Sequence, residues 1–190
     1  MSSELELFLG DKFNPYGKSN RLLYQQIAWE QSKERLGYLA FVREVADGRC
    51  PGCDVLDCGT GWSGLALMDD GFKPSFVTDK NKFLKWRLEQ RGIKNSVASR
   101  YPIVVSFDSL LLHKDPWTEI QKMASLGKIA IFNLHERWPV MEGTFAVDVS
   151  GLVEQVKNEF QVLSYKTYNH YAHLFAIIGT EQRKEQQDGE

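Results

Sequence analysis

Apolar runs long enough to span a bilayer, a surplus of basic charge and an even set of cysteines are all missing from this 190-residue chain. A spanning helix needs roughly 20 consecutive apolar residues, so no helical membrane insertion is expected. The charges nearly cancel, 23 Lys and Arg against 25 Asp and Glu, for a net charge of −2. Nucleic acid is therefore disfavoured as the default partner, although it is not excluded. The opening Met1-Ser2-Ser3-Glu4 is acidic and carries no basic-then-apolar signal segment, which sets the expectation of a cytoplasmic protein. Cysteines number only three, an odd count that fits a reducing compartment. Cys50-Pro51-Gly52-Cys53 has the spacing of half a zinc site or of a redox pair. No second pair exists, and His170 and His173 lie far along the chain. A Pro-Gly turn leading into a strand is the simpler reading, and no metal is expected.

What is present is the composition of one ordinary globular domain, 43% hydrophobic and 25% charged, long enough to bury a full core. Its most informative stretch is Asp54-Val55-Leu56-Asp57-Cys58-Gly59-Thr60-Gly61-Trp62-Ser63-Gly64. An apolar run ending in an acid feeds a glycine turn, and an apolar helical segment follows. Such a turn lets backbone approach a ligand closely, because glycine has no Cβ to block it. Gly59-x-Gly61-x-x-Gly64, with the acid Asp79 about twenty residues beyond the first glycine, satisfies the dinucleotide fingerprint.

Residues 1–17 form an aromatic arm rich in turn signals, with Phe8, Phe13 and Tyr16 among Gly10, Asn14-Pro15 and Gly17. Ser19 to Asp47 reads as helix, in one piece or broken near Gly37, with Gly48 as its stop. A short helix follows the glycine turn at 65–68. Strands are expected at 75–79, 103–107 and 128–133, with at best a stub at 95–98. Helices are expected at 81–91 and from Asp115-Pro116 to Gly127, and another is marked by Leu152, Val153, Val156 and Phe160. Val162 to Tyr168 and His173 to Gly179, with no helix between them, should pair as an antiparallel hairpin. The whole reads as a three-layer α/β/α sandwich around a mostly parallel seven-strand sheet ending in that hairpin. Its parts are an N-terminal arm and helical cap (1–48), a Rossmann-like domain (49–180) and a polar tail (181–190).

Leu-Asp-x-Gly-Thr-Gly at 56–61 resembles motif I of the class I S-adenosylmethionine-dependent methyltransferases. The closing hairpin, the order of Asp57, Asp79 and Asp108, and Ile103 to His113 as a fourth-strand segment extend the resemblance over residues 50 to 180. It implies S-adenosyl-L-methionine as cofactor, held by Asp57, Gly59, Thr60, Gly61, Trp62, Asp79, Lys80 and Asp108. Asp79 would accept the ribose hydroxyls; helix capping is the competing role. Asp57 would approach the methionine ammonium or steady the turn, and Asp108 would face the cofactor, face the substrate or cap a turn. Two departures stand out. Ser63 replaces an alternate glycine that many members carry, and only residues 94–102 link the second helix to the fourth strand. The helix usual there looks deleted, leaving Ser99 and Arg100 as placeholders for adenine contacts.

Catalysis on such a cofactor needs little more than an acceptor held in line with the methyl, plus a base if the acceptor must lose a proton. His113 and His135 are the weak candidates for that base, with packed or loop histidines as the alternative. Tyr16, His135 and Trp138 are candidates for acceptor binding, the first within an arm suited to act as a lid and the others on the rim after strand five. No Asp/Asn-Pro-Pro-Tyr and no Pro-Cys after strand four is present, which argues against the adenine-amino and cytosine-carbon enzymes. A small-molecule acceptor is favoured. The basic run Lys80, Lys82, Lys85, Arg87, Arg91, Lys94 and Arg100 keeps an RNA-modifying enzyme open, beside a protein-modifying one and a cofactor-binding protein of the same fold without transfer activity.

Overall fold

Val55 and Leu56 are completely buried although they point to opposite faces of their strand, the mark of a sheet covered on both sides. The computed structural model describes residues 7, 9, 33–47, 49–50, 52–58, 62–77, 82–95, 100–136, 147–168 and 171–180. Helix α1 (Lys33–Ala46) leads to strand β1 (Asp54–Cys58), α2 (Trp62–Asp69), β2 (Lys73–Val77), α3 (Lys82–Gln90) and the two-residue β3 (Lys94–Asn95). Then come β4 (Tyr101–Ser106), a 3-10 turn at Leu110–Leu112, α4 (Pro116–Leu126), β5 (Gly127–His135), α5 (Val149–Glu159), β6 (Val162–Tyr168) and β7 (Ala172–Ile178).

These seven strands make one sheet in the order β3-β2-β1-β4-β5-β7-β6. The pairs among β1 to β5 are parallel, whereas β7 runs antiparallel to both β5 and β6. The expected sandwich with its closing hairpin is the observed architecture. One face carries Leu56, Val104, Ala130, Phe132 and Phe175 against α4 and α5. The other carries Val55, Ile103, Val105, Ile131 and Leu174 against Tyr38, Val42 and Val45 of α1 and Leu67 of α2. This alternation follows from the two-residue side-chain period of a strand.

The boundaries around the site have identifiable physical reasons, whether they meet the sequence expectation or extend it. Of the two forms expected around Gly37, the unbroken helix is observed; a Cβ there would sit 2.6 Å from the Tyr168 ring, so glycine lets α1 lie close on β6. Salt bridges from Arg43 to Asp70 (2.7 Å) and from Lys166 to Glu44 fasten the same helix at its flanks. Strand β5 runs two residues past Asn133, because the ladder with β7 continues through Leu134↔His173 and His135↔Ala172. Asp115 caps α4 as expected, accepting from the Thr118 amide at 3.2 Å with Pro116 in the first turn. Gly127 ends α4 as expected, its amide donating to the Met123 carbonyl, and is at the same time the first residue of β5, with extended backbone at φ −110°. Beyond β3, residues 96–99, like the 1–6 and 10–32 stretches of the arm and leading helix, fall outside the described residues. Among the described residues no helix is long and apolar enough to cross a membrane.

Candidate functional site at the carboxyl rim of the sheet

Open parallel sheets bind ligands beyond the carboxyl ends of their strands, and here the acids at the ends of β1 and β4 lie on that rim. Asp57 is only 1% exposed, and its Oδ2 accepts a 2.7 Å hydrogen bond from the Ser63 hydroxyl. Ser63 is the second residue of α2, so the position that departs from the glycine pattern supplies a donor to the motif's acid. A carboxylate buried this deeply needs such donors to offset its lost hydration. The neighbouring Cys58 thiol is pushed up to about 12, first by burial and then by the Asp57 carboxylate. It stays protonated at neutral pH and is no nucleophile.

The end of β4 is tied to β1 by hydroxyls. Ser109 donates to the Cys58 carbonyl at 3.3 Å, which leaves Ser106 to donate to Ser109 at 2.5 Å. Between these serines Asp108 adopts φ +54°, the only left-handed non-glycine conformation among the described residues. A residue held there stores strain that its surroundings must repay. Asn133 of β5 does so reciprocally: its Oδ1 accepts from the Asp108 amide at 2.8 Å and its Nδ2 donates to Asp108 Oδ1 at 2.7 Å. Arg35 of α1 reaches the other carboxylate oxygen at 3.1 Å. One turn further along α1, Tyr38 stacks on Phe107 at 5.3 Å between ring centroids. Side chains at i and i+3 share a helix face, so Arg35 and Tyr38 grip two consecutive rim residues together.

His135, expected on the rim just after strand five, lies within that strand instead. It is the last residue of β5, 8% exposed, with its ring 4.5 Å from that of Tyr171. His113 lies beyond the 3-10 turn, half-exposed, with Nδ1 3.7 Å from Glu119 of α4. Glu136, the residue after His135, is paired as well. Its Oε1 meets His173 Nε2 at 2.8 Å, and His173 Nδ1 meets the Tyr165 hydroxyl at 2.7 Å. Gly59, Thr60, Gly61, Asp79, Lys80, Tyr16, Arg137 and Trp138 lie outside the described residues, whereas Trp62 opens α2. The site therefore joins two expected acids, Asp57 and Asp108, with three residues that sequence reasoning assigned no such part: Arg35, Ser63 and Asn133. Ser63 had a signal in its position inside the motif; Arg35 and Asn133 had none.

Cys50 and Cys53 are joined by a disulfide, which excludes a zinc half-site in this state. Among the described residues no group of three His, Cys, Asp or Glu is placed to hold a metal ion.

No protein-family model matches the sequence. No curated protein matches it either. Solved structures do. The 16S rRNA methylase ArmA superimposes with a TM-score of 0.58 at 13% identity, over 94% of this chain and 96% of that one. A SAM dependent methyltransferase from Aquifex aeolicus gives 0.54 at 15% identity, over 89% and 100%. The N-terminal domain of EvdMO1 with SAH bound gives 0.51 at 16% identity, over 78% and 81%. At these identities the likeness is one of fold: the chain has the class I methyltransferase fold.

Proposed function

We propose that this protein is an S-adenosylmethionine-dependent methyltransferase acting on a small-molecule acceptor. The observation that carries the reading is the buried Asp57, placed at the carboxyl end of β1 by its strand and oriented by Ser63 of α2. That carboxylate suits a ligand whose near end is cationic, as the methionine ammonium and sulfonium are. The fit extends in sequence to Gly59, Thr60, Gly61 and Trp62 as the turn beside the methionine portion, and to Asp79, with Lys80 next to it, as the ribose acceptor. The cofactor would supply a sulfonium methyl already activated for in-line displacement.

What the chain itself contributes is placement. Asp108 acts as a positioning residue for the β4 rim, with Asn133 donating to its Oδ1 and the Arg35 guanidinium facing its Oδ2. Tyr16 and Trp138 are assigned to the acceptor side, and His135 to support of Tyr171 beside it. His113 stays the weak candidate for a base, with Glu119 of α4 beside its Nδ1 at 3.7 Å. A small acceptor agrees with the net charge of −2, which provides no general field for polyanions. An RNA acceptor is the second reading, favoured by the basic segment from Lys80 to Arg100; within it Lys85 is 3.9 Å from Glu89 on the surface of α3.

Calorimetry with S-adenosylhomocysteine and with the nicotinamide dinucleotides tests the cofactor. Only the former should bind. Asp79→Ala should weaken it ten- to a hundredfold, equivalent to about 1.5–3 kcal/mol for charge-assisted bonds to two hydroxyls. Gly61→Val should weaken it further by filling the space where backbone and ligand meet. Tighter nicotinamide binding, lost in Gly61→Val, would sink the methyltransferase reading. A screen of acceptors with methyl-labelled cofactor then separates transfer from binding alone.

A further inference from the structure

We propose that Cys50 and Cys53 form a reversible dithiol–disulfide site that exchanges with small-molecule thiols and disulfides such as glutathione. The two are already bonded to each other, with their Cα atoms 5.4 Å apart and only Pro51 and Gly52 between them. Gly52 lies at φ +66°, with the Gly71 carbonyl 3.3 Å from where a Cβ would stand, so the turn that brings the sulfurs together depends on glycine. A loop this short constrains little of the unfolded chain, so the bond offers less stability than a long-range staple would. That favours exchange over a purely structural role.

The third cysteine is the poorest competitor. Exchange begins with a thiolate, and Cys58 is kept protonated by burial and by the adjacent Asp57 carboxylate. Exchange therefore runs between Cys50 and Cys53, or through a partner from solution. Both residues are half-buried, packed beside the core under α1, not sealed within it. Their position is a joint in the fold. The Cys50 amide donates to Ala46 at the end of α1 at 2.8 Å, and the Cys53 carbonyl accepts from Lys73 at the start of β2 at 3.0 Å. The oxidised ring thus staples the helix that carries Arg35 and Tyr38 to the amino end of the sheet.

The chemistry balances with glutathione as co-reactant. One cysteine thiolate attacks a sulfur of glutathione disulfide, forming a mixed disulfide and releasing one glutathione thiolate. The second cysteine, having lost its proton, attacks the protein-bound sulfur, closes the ring and releases the second glutathione. Two electrons pass from protein to glutathione, and the two protons end on the glutathione thiols.

The test equilibrates the full chain in anaerobic glutathione buffers of graded ratio, quenches with acid, alkylates free thiols and maps them by mass. Two thiols should appear and vanish together, at Cys50 and Cys53, in one two-electron transition that reverses. Cys58 should alkylate more slowly than the pair, because little of it is thiolate, and Cys58→Ser should leave the transition where it was. In Cys53→Ser, Cys50 should instead accumulate a single glutathione adduct. The proposal is overturned if the pair stays reduced in glutathione disulfide alone, or stays oxidised in glutathione until the protein unfolds. It is equally overturned if Cys58 exchanges into the bond, or if the reduced protein retains one equivalent of zinc that blocks oxidation. Circular dichroism of each variant confirms that the folded chain is being read.

Discussion

Arg35 and Asp108, one before the glycine turn in sequence and one well after it, meet as a buried ion pair with side chains 3% and 2% exposed. Through it the leading helix holds a strained residue at the mouth of the proposed cofactor site. A buried pair is weak ground for net stability, but breaking one by removing a single partner strands the other charge.

Arg35→Met should therefore destabilise the fold by about 3–5 kcal/mol in urea unfolding. Adding Asp108→Asn should recover a large part of that loss, because the stranded charge is gone. A single variant within about 0.5 kcal/mol of wild type would show that the pair does not hold the rim.

Ser63→Ala removes the hydroxyl that orients Asp57 and leaves a buried carboxylate short of a donor. We expect a loss of about 1.5–3 kcal/mol in stability, since the acceptor is charged. S-adenosylhomocysteine affinity should fall with it, while Ser63→Thr, which keeps the hydroxyl, should restore part of both. Unchanged affinity in the alanine variant would detach Asp57 from the ligand.

Binding to a mixed RNA pool across a salt series decides between the two acceptor classes. Weak binding with a shallow slope is expected, because few phosphates would be neutralised. Micromolar affinity that collapses with salt, and is lost when Lys82, Lys85 and Arg87 become Glu, would establish RNA as the partner instead.

Cys58 gives a pH dependence of defined sign. Below its ordinary value of 9.0 the thiol is protonated in both folded and unfolded chains. Between 9.0 and about 12 the unfolded chain releases that proton and the folded one keeps it. Stability should then fall by up to roughly 1.4 kcal/mol per pH unit. Other groups titrate in the same range, so the measurement is the difference between wild type and Cys58→Ala at about pH 8 and about pH 10.5. The gap should narrow at the higher pH. A gap that stays constant would place the thiol in contact with water.

Local chemistry made much of this protein readable from its residues. The helices of the α/β alternation announce themselves by period, by the Asp115-Pro116 cap and by glycine stops, and β6 spans the expected residues 162–168. Asp57 and Asp108 were recognisable because an acid at a strand end is a pattern within a few residues. What touches those acids was decided by topology. Arg35 and Asn133 approach Asp108 only because α1 folds over the sheet and β5 lies beside β4 in register. Neither side chain differs in sequence from an ordinary surface Arg or Asn. His135 looked like a loop residue because its neighbours Glu136 and Arg137 are polar. Pairing with Ala172 drew it into β5, and the closure of the hairpin set Tyr171 against its ring. The cysteines divide the same way. Their spacing offered a turn, a redox pair and half a zinc site, and only the folded turn, with both sulfurs brought onto one side of it, decided for the disulfide. Burial and long-range pairing are properties of the assembled sheet, and no stretch of sequence carries them alone.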